Sequence, residues 1–284
     1  MKKLAYTFLF FIVFAACFYI GAITIFGRYA PNYLKPNLNY KVGSYGHLNT
    51  RIKECQQLDS VDILFLGSSH TYRGFDNRIF DSVGLHTFNF GSSAQTPIQT
   101  LVLLKRYLDK LHPKLILFEI NPFTLSSDGV ESSTDIISND KIDMYTFEMA
   151  LKVNHIKTYN TLLFALHREI LQLNKSYQEP KQRGEDTYIK GGFVESKLKY
   201  FTTIPKLPTK DIQLESKQLK AFESCISEIK KRNIKLILVY APITKNLYSS
   251  YTNKSVFDSI MQAHATYLNF NEIMQLNDTF GFLR

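Results

Sequence analysis

The sequence predicts an α/β fold: a mainly parallel sheet flanked by helices, preceded by an amino-terminal transmembrane helix and interrupted by a helical and loop insertion. Three observations carry this reading. Short apolar runs recur along the body, each closing on Gly, Asn-Pro or Ala-Pro. Stretches with apolar residues at helical spacing lie between them. An uncharged run at the amino end stands apart from both. Strands alternating with helices argue for parallel pairing, with helices covering both faces of the sheet. The 284 residues suffice for one medium domain with accessories, and 45% apolar with 21% charged residues excludes a disordered tail, a collagen or a coiled-coil rod.

Lys2 and Lys3 precede the uncharged run, Leu4 to Phe26. As a helix it spans roughly 34 Å, enough to cross a bilayer core. Positive charge before the run favours a cytoplasmic amino terminus and a body outside the cytoplasm, periplasmic or at the cell surface; Arg28 weakens this slightly. A cleaved signal peptide is the rival, but its apolar core is usually about 7–15 residues. Phe14-Ala15-Ala16-Cys17 faintly resembles a lipoprotein processing site, yet the apolar run continues well past Cys17. Residues 1–27 therefore read as an uncleaved anchor. Residues 28–56, with Pro31, Pro36, Gly43 and Gly46, read as a stalk or an embracing extension.

The body, 57–284, begins with Val61-Asp62-Ile63-Leu64-Phe65-Leu66, a buried strand ending at Gly67. Thr87-Phe88-Asn89-Phe90 before Gly91 is a second strand. Ile98, Leu101, Val102, Leu104 and Leu108 mark a helix. A third strand runs from Lys114 to Ile120 and closes on Asn121-Pro122. Residues 124–210 interrupt the alternation: 126–143 reads as a loop, about 144–173 as one helix, and 179–209 as a polar stretch rich in Gly and Pro. Such an insertion usually caps or rims a site. A helix from about Leu214 to Lys231, a strand from Ile234 to Tyr240 and a last strand from Thr266 to Phe270 complete the body.

Lys and Arg outnumber Asp and Glu by 34 to 25, for a net charge of +9. That suits anionic polymers or lipid headgroups, but the charges are scattered. With no basic stripe or helix-turn-helix pattern, nucleic acid is not an expected partner. Cys17, Cys55 and Cys225 are too few for a disulfide scaffold and show no metal-ligand spacing, so no metal or cofactor is expected. At most one bridge, Cys55 to Cys225, is available.

The candidate chemistry lies at the strand ends. Gly67-Ser68-Ser69-His70-Thr71 follows the first strand, and ligands of open parallel sheets sit beyond the carboxyl ends of strands. A serine there projects its hydroxyl into the crevice, and nearby N–H groups can hold an oxyanion. The segment is not Gly-x-Ser-x-Gly, since Thr71 holds the fifth position. Ser68 and Ser69 could equally cap a helix, Gly91 could serve a turn, and Asn121-Pro122 could simply end a strand. The order and placement of Ser69, Gly91 and Asn121 at three strand ends favours one shared site.

These blocks resemble the SGNH hydrolase superfamily. Ile63-Leu64-Phe65-Leu66-Gly67-Ser68-Ser69-His70 is similar to the first block, Phe88-Asn89-Phe90-Gly91 to the second, and Glu119-Ile120-Asn121-Pro122 to the third. The Gly-Ser-Ser-His form behind an anchor is most similar to an envelope branch that includes D-alanyl transfer and alginate O-acetyltransferase proteins. The resemblance covers about 57–123 and 230–276. It implies a three-layer, flavodoxin-like arrangement, with Ser69 as nucleophile, Gly91 as an oxyanion N–H donor and Asn121 as a side-chain donor. It also implies an acylated glycan or small ester as substrate and admits an envelope acyl-transfer partner protein.

One block departs from the pattern. After Leu276-Asn277-Asp278-Thr279 the sequence reaches Arg284 without the family's Asp-x-x-His. Serine needs an adjacent base, and His70 reads as a rim residue. His264 reads as a surface or helix-end residue, His155 and His167 lie in the insertion, and His47, His86 and His112 show no supporting partner. Two classes follow: an envelope esterase or acyltransferase, truncated and weakly active as given, or a membrane-anchored binding protein that keeps the crevice without the chemistry.

Overall fold

The computed structural model describes residues 1–43, 45–197 and 207–274. Helix α1 (Lys2–Tyr29) is followed by short turns and α2 (Leu48–Cys55). The alternating body then starts: β1 (Ile63–Leu66), α3 (Ser69–Gly74), α4 (Asn77–Asp81), β2 (Thr87–Asn89), α5 (Pro97–Leu111) and β3 (Leu115–Glu119). The insertion holds α6 (Pro122–Ser126), α7 (Val130–Asn139), α8 (Met144–Val153), α9 (Ile156–Ile170), β4 (Gln182–Arg183), β5 (Asp186–Ile189) and β6 (Phe193–Ser196). The body resumes with α10 (Ser216–Lys230), β7 (Lys235–Tyr240), α11 (Lys245–Ser250), α12 (Lys254–His264), β8 (Thr266–Asn269) and α13 (Phe270–Ile273).

The five expected strands form one parallel sheet in the order β2-β1-β3-β7-β8. All five carboxyl ends therefore share one edge. The chain leaves β1 for β2 on one side and returns to β3 on the other, so the topological switch point lies between β1 and β3. Both faces are covered, as the near-continuous apolar strands require. Leu64 and Leu66 join the main core with α5 and α10, where Phe118 lies 5.9 Å from Phe222, ring to ring. Phe65 points the other way, stacking on Phe75 at 4.7 Å and meeting the tilted ring of Phe80 at 5.0 Å.

Three expectations change. Residues 130–139 are helix α7, not loop, and nearly all are buried. Small polar residues conceal its helical pattern because they satisfy themselves locally: Ser133 and Ser138 hydroxyls and the Asn139 amide donate to carbonyls four residues back. The single helix expected over 144–173 breaks at Asn154, whose φ is +50°, and His155 caps the second half. The polar stretch after 179 contains the antiparallel sheet β4-β5-β6, held to β2 by Asn89 N–H donating to Gly191 O at 2.7 Å.

The 28–56 segment embraces the body, with Leu48, Ile52 and Cys55 inside the core and Arg51 fully buried. Cys55 and Cys225 are free and buried, which pushes the Cys55 thiol up to about 12. Helix α1 is long and apolar enough to cross a membrane, a property it shares with signal sequences. Its carboxyl-terminal part packs on α9: Tyr19 Oη donates to Asn160 Oδ1 at 2.6 Å, and Phe164 lies directly against Gly27.

Candidate active site

The β1 and β3 ends meet in a buried cluster built around Glu119, the last residue of β3, which is 1% exposed. Its Oε2 accepts from Ser68 N–H at 3.1 Å and from Ser68 Oγ at 2.9 Å. Its Oε1 accepts from Asn121 Nδ2 at 2.7 Å and lies 3.5 Å from His70 Nδ1. Burial alone would raise the carboxyl pKa. His70, Asn121 and the Ser68 N–H reverse that and hold it below the usual range. For His70, withdrawal from water opposes the charged ring, but Glu119 outweighs it and the pKa is raised.

The turn carrying the two serines needs its glycines. Gly67 has φ +138°, and a β-carbon there would strike Thr71 Oγ1 and both the carbonyl and carboxylate of Glu119. A β-carbon on Gly91 would come within 2.8 Å of Ser68 O and 2.9 Å of Thr71 Cβ. Asn89 fastens the β2 end to α3, with Nδ2 donating to Thr71 O at 2.7 Å.

The sequence-derived residues occupy different roles in this arrangement. Ser68 is the capping serine: its Oγ accepts from His70 N–H at 3.3 Å while donating to Glu119. Ser69 is the first residue of α3, is partly exposed, and neither its Oγ nor its N–H has a partner among the described residues. Asn121 caps α6 through Oδ1, which accepts from Thr124 N–H at 3.1 Å, while its Nδ2 faces Glu119 and lies 3.4 Å from His70 Nδ1. Gly91 adjoins the turn, with Ser92 N–H donating to Gly67 O at 3.2 Å. The Gly91 N–H itself donates to Asn89 Oδ1 at 3.2 Å, so it is not directed into the crevice as an oxyanion donor.

His70 is more than a rim residue, since it touches a buried carboxylate while its side chain stays 44% exposed. Glu119 was legible as the one charge in Leu115-Ile116-Leu117-Phe118-Glu119, at the end of a strand with no other polar residue. His86, His112 and His264 precede strands β2, β3 and β8, which puts them at the opposite edge of the sheet. The ring of His155 is used in capping α9. Leu276-Asn277-Asp278-Thr279 lies outside the described residues.

No protein-family model matches the chain, and no curated protein does. Two solved structures overlay on it loosely. One is a Bacteroides fragilis protein described as a candidate acylhydrolase, 12% identical over 82% of this chain and 81% of its own, with a TM-score of 0.36. The other is a Bacteroides thetaiotaomicron GDSL-like lipase, 11% identical over 83% of each chain, with a TM-score of 0.37. Likeness at this level carries no argument about activity.

Proposed function

We propose that the chain is a membrane-anchored serine esterase or O-acyltransferase acting on acylated cell-envelope glycans. The observation that carries the reading is the β1–β3 junction: the unpartnered hydroxyl of Ser69 directly precedes, in sequence, a histidine that a fully buried carboxylate holds. Ser69 Oγ attacks the ester carbonyl carbon, and His70 takes its proton. The Ser69 N–H, with the Asn121 amide if it turns from Glu119, receives the oxyanion. The intermediate collapses as the carbon–oxygen bond to the alcohol breaks, and His70 returns the proton to the departing oxygen. Water or a sugar hydroxyl then takes the acyl group from Ser69, giving hydrolysis or transfer. Glu119 steadies the imidazolium formed along the way.

This mechanism fixes the pH dependence. The base must be neutral, and the His70 pKa is raised above 6.5. The kcat/KM for p-nitrophenyl acetate should therefore rise with pH along a limb centred above 6.5, and Glu119→Gln should move that limb down. A limb at or below 6.5, or one unmoved by Glu119→Gln, contradicts the assignment of His70.

The membrane part of the reading has its own test. With Lys2 and Lys3 on the cytoplasmic side, protease added to intact spheroplasts should digest the body. A body protected until the membrane is opened would reverse the orientation.

One observation favours the second reading, a membrane-anchored binding protein that retains the crevice. The Gly91 N–H and the Asn121 amide both have internal partners, leaving few free donors for an oxyanion. Absence of Ser69-dependent turnover across the pH range would select that reading.

A further inference from the structure

We propose that the protein rests on the lipid bilayer with the carboxyl edge of its sheet, the edge that bears Ser69, turned toward the lipid, and that the corner between α8 and α9 enters the leaflet on the body's side. This rests on the membrane-anchored half of the reading above and not on its chemistry.

The direction follows from contacts between helices. Helix α5 follows β2 and so starts at the carboxyl edge; α10 starts there too, since Gln218 Oε1 accepts from Ile98 N–H at 3.3 Å. Helix α8 begins beside the far part of α5, where Arg106 Nε donates to Asp143 Oδ2 at 3.0 Å. It ends beside the first turn of α10, where Lys217 Nζ donates to Val153 O at 3.4 Å. The α8–α9 corner therefore lies at the carboxyl edge, and α9 runs away from it. Helix α1 meets α9 in the same order, Tyr19 with Asn160 and Gly27 with Phe164. The two helices point the same way, so the amino-terminal part of α1 projects past the carboxyl edge of the sheet.

Helix length sets the depth. Every residue of α1 up to Ile20 is exposed, and Tyr19 already bonds to the body. From Leu4 to Phe18 the helix extends clear of the body for roughly 22 Å. A hydrocarbon core is about 30 Å thick and takes about 20 helical residues, which from Leu4 reaches Ile23. The missing length comes from the stretch 19–23, which already lies beside α9. The first turns of α9 and the corner before them are thereby drawn to the lipid boundary. Tilting α1 lengthens its path through the core and draws the body further in.

The surface at that depth suits lipid. Leu151, near the end of α8, is 68% exposed, and Ile156, the first residue of α9, is 48% exposed. Lys152 and Lys157 flank them, and such stems lie along apolar surface while the ammonium stays among headgroups. No acidic residue occurs from Lys152 to Arg168. Tyr19 and Asn160 pair their polar ends at the level where tyrosines collect in membranes.

The chain contains no tryptophan, so a single introduced one reports its own surroundings. The test places the full chain, carrying Leu151→Trp, Ile156→Trp, Phe18→Trp or Val83→Trp, in vesicles of phosphatidylcholine and phosphatidylglycerol. Fluorescence is compared with and without phosphatidylcholine brominated near the headgroup end of its acyl chains. Phe18 marks the inserted helix, and Val83, exposed just before β2, marks the opposite edge of the sheet. All four positions are exposed, and circular dichroism checks each variant's fold. Phe18→Trp should be quenched, and Leu151→Trp and Ile156→Trp should be quenched several-fold more strongly than Val83→Trp. Quenching of Phe18→Trp with the two corner variants no more affected than Val83→Trp overturns the proposal and leaves the anchor standing. Stronger quenching of Val83→Trp than of the corner also overturns it, because the opposite edge then faces the lipid. An unquenched Phe18→Trp removes the anchor itself, and the proposal with it.

Discussion

Ser69→Ala is expected to lower p-nitrophenyl acetate turnover by about 10³-fold or more, while Ser68→Ala acts mainly on stability. Loss of a nucleophile leaves only binding and oxyanion contacts, which fall far short of the intact machinery. The two serines are neighbours but not equivalents. Ser68 is buried, caps α3 and donates to Glu119, so its loss should cost about 1 kcal/mol for the cap, and more for the carboxylate oxygen left short of a donor. Ser69 does neither, and its alanine variant should unfold at close to the parent temperature. Rates and thermal unfolding of both variants check this. A stable, inactive Ser68→Ala beside an active Ser69→Ala would exchange the assignments.

Glu119→Ala is expected to destabilise the fold by about 3–5 kcal/mol, a large share of the roughly 5–15 kcal/mol available to a domain. The carboxylate is fully buried and receives the Ser68 N–H, the Ser68 hydroxyl and the Asn121 amide. Removing it strands those donors away from water. The His70 contact adds little to this figure, because that ring is 44% exposed and solvent screens it. Glu119→Gln keeps the size and one acceptor oxygen and should cost less. The shift of the urea midpoint, at unchanged slope, measures both. A loss below about 1 kcal/mol for the alanine variant would show that the cluster is not a structural keystone.

Much of this fold was legible because β1, β2, β3, β7 and β8 are short apolar runs with turn residues after them. Parallel pairing then placed Ser69, Gly91 and Asn121 at one edge. Helix α7 stayed hidden because its buried Ser133, Thr134, Ser138 and Asn139 bond to carbonyls on the turn before them, which a hydrophobic pattern does not register. The small β4-β5-β6 sheet was masked by Gly, Pro and charge. At the site, the residue types were readable but the hydrogen-bond directions were not. Gly91 was placed correctly beside the turn, yet whether its N–H points to solvent or to Asn89 depends on local backbone geometry. Glu119 was visible as a lone charge at a strand end. Its link to both Ser68 and His70 appears only once β1 and β3 are paired.

Acyl transfer by the proposed route requires that the acyl group be carried on Ser69 Oγ. Full chain in detergent, treated with a fluorophosphonate and digested, should yield a single modified peptide with the adduct on Ser69, and Ser69→Ala should give none. An adduct on Ser68 or elsewhere, or a chain that stays unmodified under conditions that label a control serine esterase, would contradict it.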